Sequence, residues 1–218
     1  MKRNSQSSNT LAHVSQRSTA ASRFNNATMR KHYHHGDLRE ALLEAALTSL
    51  DATRELPSWR ALARACAVSH TAPYRHFGNV EALQVALATA GFNRLTAAVI
   101  RATTGIDDPF ERLAHGLKAY VTFGRAHPSW YELMFGQVKS DDAELTAAGA
   151  AAYGTLIEGI AACQIAEPAD VAFTLWCAIH GITDLGACGL KAPVSGRRKR
   201  DQVEDVIAMC VNHVRSLV

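Results

Sequence analysis

Leu38, Leu42, Leu43, Ala46, Leu47 and Leu50 recur three and four positions apart, the spacing of one face of an α-helix. They predict a first helix over residues 38–50, with Asp37 at its start, where a carboxylate caps or favours the N-terminus. A connector over 51–57 carries Pro57. Ser58 is then a natural N-cap, and Trp59, Leu62, Ala63 and Cys66 mark one face of a short second helix. Val68 and Ser69 turn the chain into a third helix from His70 to Phe77, which Gly78-Asn79 ends. Leu83, Leu87, Phe92, Leu95 and Val99 form the apolar side of a long helix over 80–103.

The pattern stays helical to the end of the chain. Pro109 reads as the first position of a helix reaching Ala126. His127-Pro128 ends it, and Ser129 opens a short helix to Met134. Asp141 or Asp142 caps a helix to Cys163, Pro168 opens one to Gly186, and Asp201 caps a last one to Leu217. A loop with Gly189, Pro193, Ser195 and Gly196 ends in Arg197–Arg200. No run alternates with the period of a strand. The expected fold class is all-α: residues 1–31 a disordered basic arm, 32–82 a three-helix unit, and 83–218 a larger helical unit.

Composition agrees. The chain has 218 residues, 48% hydrophobic and 20% charged, enough to bury a real core and unlike a disordered or collagen-like chain. Five cysteines (Cys66, Cys163, Cys177, Cys188 and Cys210) form no C-x-x-C pair and read as reduced, buried thiols of a cytoplasmic protein. No stretch of about 18 residues is apolar without a charge, so no membrane span is expected. The net charge of +3 is uneven: residues 1–36 carry +6, residues 37–82 carry −1 and residues 83–218 carry −2. A basic arm before a folded unit can bind phosphate backbone or simply be solvated. Met29 stands directly before the patterned sequence and offers an alternative start.

The segment Ser58–Phe77 has the physics of a helix-turn-helix. Ala63 is small where two helices must cross, Ala67 and Val68 lie at the turn, and Ser69 can cap the second helix. Such a second helix enters a major groove while the first crosses the backbone. His70, Thr71 and Ala72 are the candidates for base edges, and Tyr74, Arg75 and His76 for phosphates. Helix N-termini at Ser58 and Ser69 can each hold a phosphate, with Arg60 and Arg64 as second-rank contacts. A generic helical hairpin with capping serines competes with this reading.

From Tyr33-His-His-Gly-Asp-Leu through Ala-Pro-Tyr-Arg-His-Phe77 to Glu81-Ala-Leu83, about fifty residues, the chain resembles the TetR/AcrR family of bacterial transcriptional regulators. Farther on, Trp176-Cys-Ala-Ile-His180-Gly181 and His127-Pro-Ser-Trp-Tyr-Glu-Leu-Met-Phe-Gly136 resemble the subclass named for a Trp-His-Gly motif. Two positions depart from the family: Ala67 stands where glycine is usual, and Val80 where a phosphate-approaching lysine is usual.

The resemblance implies a homodimer on a near-palindromic site in double-stranded DNA, released by a small-molecule effector, and neither enzyme nor metal protein. Tyr120, Phe123, Trp130, Tyr131, Met134, Phe135, Trp176 and His180 are the candidates for the effector pocket, with His180 as its polar handle and Gly181 allowing close helix approach. Core packing is the competing role for each. His180 and Asp184 are spaced for a metal edge, but two ligands make no site, and no cofactor is expected. Dimerisation would use helices 168–187 and 201–217, although the face Val203, Val206, Ile207, Cys210, Val214 and Leu217 could equally close the monomer core. An α-helical enzyme is a further class, without a Gly-rich phosphate loop, nucleophile elbow or H-E-x-x-H. A helical scaffold that has lost DNA binding is another, suggested by Ala67 and Val80.

Overall fold

The computed structural model describes residues 35–137, 141–187 and 202–218. The basic arm, Cys188, the Arg197–Arg200 cluster and the Asp201 cap lie outside the described residues. The chain separates into two compact units, Met1–Ala41 and Leu42–Val218. Of the first, the described part is the opening of helix α1.

Helix α1 runs His35–Thr53, longer at both ends than the apolar face alone suggests. Asp37 therefore falls inside the helix rather than at its cap. In the second unit, Leu42, Leu43, Ala46, Leu47 and Leu50 are buried, as their spacing requires. Arg54, in the left-handed region at φ 60°, ends the helix. Helix α2 spans Trp59–Ala65, and Ser58 Oγ accepts from the Ala61 N–H at 3.3 Å. Helix α3 spans Ala72–Phe77 and α4 spans Val80–Thr103, the latter capped by Asn79 Oδ1 on the Ala82 N–H at 2.7 Å. Gly78, at φ 74°, makes the bend between them.

Helix α5 spans Pro109–Ala126, with Asp108 Oδ1 accepting from the Glu111 N–H at 2.7 Å. Helix α6 is short, Pro128–Glu132, and runs into a π-helical turn, Leu133–Gln137. Helix α7 spans Ala143–Ala161, and Asp142, not Asp141, is its cap. Helix α8 spans Pro168–Ala187 and α9 spans Gln202–Arg215. Among the described residues there is no strand.

Helix α4 lies against α5 and α7, and α5 also meets α7, α8 and α9. Leu83, Leu87, Leu117, Val121, Ile160, Leu175, Ile179 and Val214 are almost fully buried between them. Each such side chain contributes about 1.5–3 kcal/mol on burial. Helix α4 is long and apolar enough to cross a membrane by composition, but here its apolar side is spent on this core.

Two expectations change. Gly181 has no heavy atom within 4 Å of where a Cβ would stand, so it marks no close crossing. Gly124 does: a Cβ there would meet Thr183 Cγ2 at 2.4 Å and Tyr131 Cδ2 at 2.8 Å, which brings α5 hard against α8. Cys177 is exposed rather than buried, while Cys163 and Cys210 are buried as free thiols. The face Val203, Ile207, Cys210 and Val214 closes the core of the single chain, joined by Val211, while Leu217 is exposed.

Candidate functional site

The turn between α2 and α3 is closed by main-chain bonds. Val68 N–H reaches Ala63 O at 2.9 Å, and Ala67 N–H reaches Arg64 O at 3.2 Å. That pair is the signature of a Schellman ending, with Ala67 in the left-handed position at φ 54°. The alanine thus adopts the backbone for which glycine is the unstrained choice. Helix α3 then starts later than the residue pattern suggests. Ala72 N–H bonds Ser69 O at 3.0 Å to form a turn, and Thr71 is the N-cap residue without a side-chain cap bond. Ser69 Oγ pairs instead with Thr71 Oγ1 at 3.2 Å, so Ser69 does not cap this helix.

Pro73 and Phe77 are buried, which pins one side of α3. The other side is free: Ser69, His70, Thr71, Tyr74 and Arg75 are exposed, with Ala72 and His76 half-buried. Ser58, Arg60 and Arg64 are exposed on or beside α2. The Tyr74 ring leans on Trp59 with centroids 4.7 Å apart, which fixes the phenol relative to α2. The predicted DNA contacts thus share one short stretch of surface elements, and none of them is buried.

In the larger helical part, a cavity of about 240 Å³ opens between α4, α5, α7 and α8. Tyr120, Phe135 and Trp176 line it; the other five predicted pocket residues do not. Tyr131, Phe135 and His180 line a second cavity, of about 500 Å³, with the more polar company of Arg54, Ser129, Glu132 and Asp184. Phe123, Trp130 and Met134 line neither, because packing claims them: all three are buried, and Met134 seats its sulfur where Gly91 lacks a Cβ.

A polar network separates the two cavities. Trp176 Nε1 donates to Tyr120 Oη at 3.2 Å. Tyr120 and Tyr131 hydroxyls lie 2.9 Å apart, and His180 Nδ1 stands 2.5 Å from Tyr131 Oη and 3.0 Å from Tyr120 Oη. Burial pushes the Tyr120 hydroxyl up to about 12 against the pull of its bonds to Tyr131 and Trp176, and raises Tyr131 further. Both phenols are therefore donors at neutral pH. Burial lowers His180, with Asp184 opposing, so a neutral imidazole can offer the one lone pair of Nδ1 to the nearer phenol, Tyr131. His180 thus partners an internal network and at the same time lines the second cavity. Among the described residues no cluster of three His, Cys, Asp or Glu side chains could hold a metal ion.

Sequence reasoning missed most of the first cavity: Arg112, Gly116, Gly149, Tyr153, Glu158 and Gly159 are part of its wall. The available signal was three glycines inside helices where no turn needs them.

A family model described as the tetracyclin repressor-like C-terminal domain matches residues 113–208. A protein of unknown function from Rhodococcus sp. RHA1 is similar in structure, with 33% identity and a TM-score of 0.69 over 86% of this chain and 99% of that one. PfmR, a TetR family transcriptional regulator from Thermus thermophilus, aligns at 18% identity and a TM-score of 0.54, over 79% of this chain and 96% of its own. AibR, solved with isovaleryl coenzyme A and operator DNA, aligns at 19% identity and a TM-score of 0.55, over 79% and 97%. No match is found among curated proteins.

Proposed function

Because the chain belongs to the TetR family, we propose that it is a ligand-responsive, DNA-binding transcriptional regulator, a cytoplasmic homodimeric repressor with no enzymatic activity of its own. The observation that carries this is α3: Pro73 and Phe77 anchor it while His70, Thr71, Tyr74 and Arg75 face outward. On this reading residues 32–82 read DNA, and residues 83–218 bind the effector and the second copy. His70, Thr71 and Ala72 address base edges, and Ser58, Tyr74, Arg75 and His76 address phosphates, with Arg60 behind them. Ser69 joins them through its exposed hydroxyl rather than as a helix cap.

Dimerisation through α8 and α9 uses a different face from the one periodicity suggests. Phe173, Cys177 and Leu185 on α8, and Met209 on α9, are exposed apolar groups left over after the core is closed. A twofold pair would set two α3 helices about 34–36 Å apart, one turn of duplex. An effector in the first cavity would release DNA by favouring a different spacing of the two heads.

The test is selection from random duplex DNA followed by gel shift on the recovered sequence. A near-palindrome is expected. His70→Ala should relax base preference, whereas Arg75→Ala should weaken all sequences alike and flatten the salt dependence. Failure to enrich any site at low salt would overturn the reading and leave the scaffold class in its place.

A further inference from the structure

We propose that the cavity between α4, α5, α7 and α8 selects an amphiphilic organic anion, a carboxylate with a hydrocarbon body, whose head pairs with Arg112 and whose tail runs towards Trp176. This rests on the effector-binding reading above and deepens it.

Arg112 lines the cavity near the start of α5. Its Nε is fully buried and has no hydrogen-bond partner, and its guanidinium makes no ion pair among the described residues. A buried donor of a permanent cation is held at a cost unless an acceptor reaches it, and an anionic oxygen is the strongest acceptor available. Neither hydroxyl in the wall accepts from it: Thr103 Oγ1 donates to Val99 O at 3.0 Å and Thr155 Oγ1 to Ala152 O at 2.8 Å, and Nε stays without a partner. Glu158 is the acid in the wall, but its side chain is exposed and solvated. Arg112 is itself half-buried, and the buried, unpartnered donor at this end belongs to a cation.

The rest of the chamber suits a hydrocarbon. Leu95, Val99, Leu113, Leu117 and Leu156 line its length. Arg112 and Tyr120 lie eight residues apart on α5, about 12 Å along the axis. The volume of about 240 Å³ holds on the order of ten non-hydrogen atoms at ordinary organic packing density. Gly116, Gly149 and Gly159 keep that space open, since a Cβ at each would meet only ordinary contacts at 3.4–3.8 Å. An eight-carbon carboxylate matches this length and this single cationic end.

The experiment is calorimetry on the full chain without DNA, using octanoate, n-octanol and n-octylamine. Octanoate should bind about tenfold tighter than octanol, the effect of one charge-assisted contact, and octylamine should bind weakest. Arg112→Met should erase the octanoate advantage while keeping octanol binding, and Arg112→Lys should restore part of it. Gly149→Leu should abolish binding of all three by filling the chamber. Equal affinity for octanoate and octanol overturns the proposal. So does tighter binding of octylamine, which would assign the head to Glu158. Unchanged binding in Gly149→Leu, or no binding of any probe, also overturns it. Because no DNA is present, these outcomes are independent of whether an operator is found, and a failed operator selection leaves them standing.

Discussion

The indole N–H of Trp130 donates to the main-chain carbonyl of Leu47 at 3.2 Å, a bond that runs from α6 to α1. Three contacts surround it. His127 stacks on Trp130 with centroids 4.1 Å apart, His127 Nδ1 lies 3.1 Å from Asp51 Oδ1, and the Arg94 guanidinium sits 5.1 Å over the indole. Arg94 also pairs with Glu44 on α1. The next residue, Tyr131, belongs to the hydroxyl network beside the cavities. Helix α6 therefore touches α1 with one side chain and the hydroxyl network beside the cavities with its neighbour.

Trp130→Phe keeps a ring in place but removes the bond. Stability should fall by about 1 kcal/mol, read as a lower midpoint in urea. The sharper readout is coupling: DNA affinity without effector should change little, while the loss of affinity on adding effector should shrink. An undiminished effector response in gel shift would remove α6 from the signal path.

The His180 network makes stability depend on pH. Burial sets the folded imidazole below its ordinary value of 6.5. As pH falls through 6.5, the unfolded chain takes up its proton first and stability drops, levelling off below the folded value. Above that ordinary value this contribution is intact. Thermal melts from just above neutral to about pH 5 should show this slope, and His180→Asn, which keeps an acceptor near Nδ1, should flatten it. An equal slope in both proteins would assign the effect to other histidines.

Ala67→Gly relieves a Cβ held at φ 54°. The left-handed position costs an alanine about 1–2 kcal/mol, and glycine's extra unfolded-state freedom returns about 0.5–1 kcal/mol of that. The net expectation is a gain of up to about 1.5 kcal/mol by chemical denaturation. Ala67→Val should go the other way. A loss on Ala67→Gly would mean that the turn is not strained.

Two glycines separate close approach from open space. Gly124→Ala forces a Cβ to 2.4 Å from Thr183 Cγ2 and should cost about 1–3 kcal/mol. Gly181→Ala meets nothing within 4 Å and should gain about 0.5–1 kcal/mol of helix stability. Melting temperatures of the two variants should move in opposite directions. Movement in the same direction would contradict the crossing at Gly124.

Most helices could be read from periodicity because a buried face repeats every three to four residues, and Asn79, Asp108 and Asp142 cap three of them with side chains that favour such positions. The α3 start was misplaced because a main-chain turn at Ser69–Ala72, not a side chain, sets it. The cavity was only partly legible. Aromatic residues announce rings, and Phe123, Trp130 and Met134 turned out to be packing. Space is made by side chains that are absent, at Gly116, Gly149 and Gly159, and no aromatic pattern points to them. Arg112 resembles any helix-surface cation until its Nε is found buried.

The π-helical turn at Leu133–Gln137 holds one residue more than an α-helical path would need. Phe135 sits inside it, with ring centroids 4.7 Å from both Tyr131 and His180, 5.2 Å from Phe92 and 6.2 Å from Trp176. It lines both cavities. Removing one residue upstream of it in this turn would let the segment close as an ordinary α-helix and swing Phe135 by about 100° out of that ring of neighbours. One aromatic side chain is thus shared by two walls, and the register of a single turn, with no change of side-chain chemistry, decides where its ring stands in both.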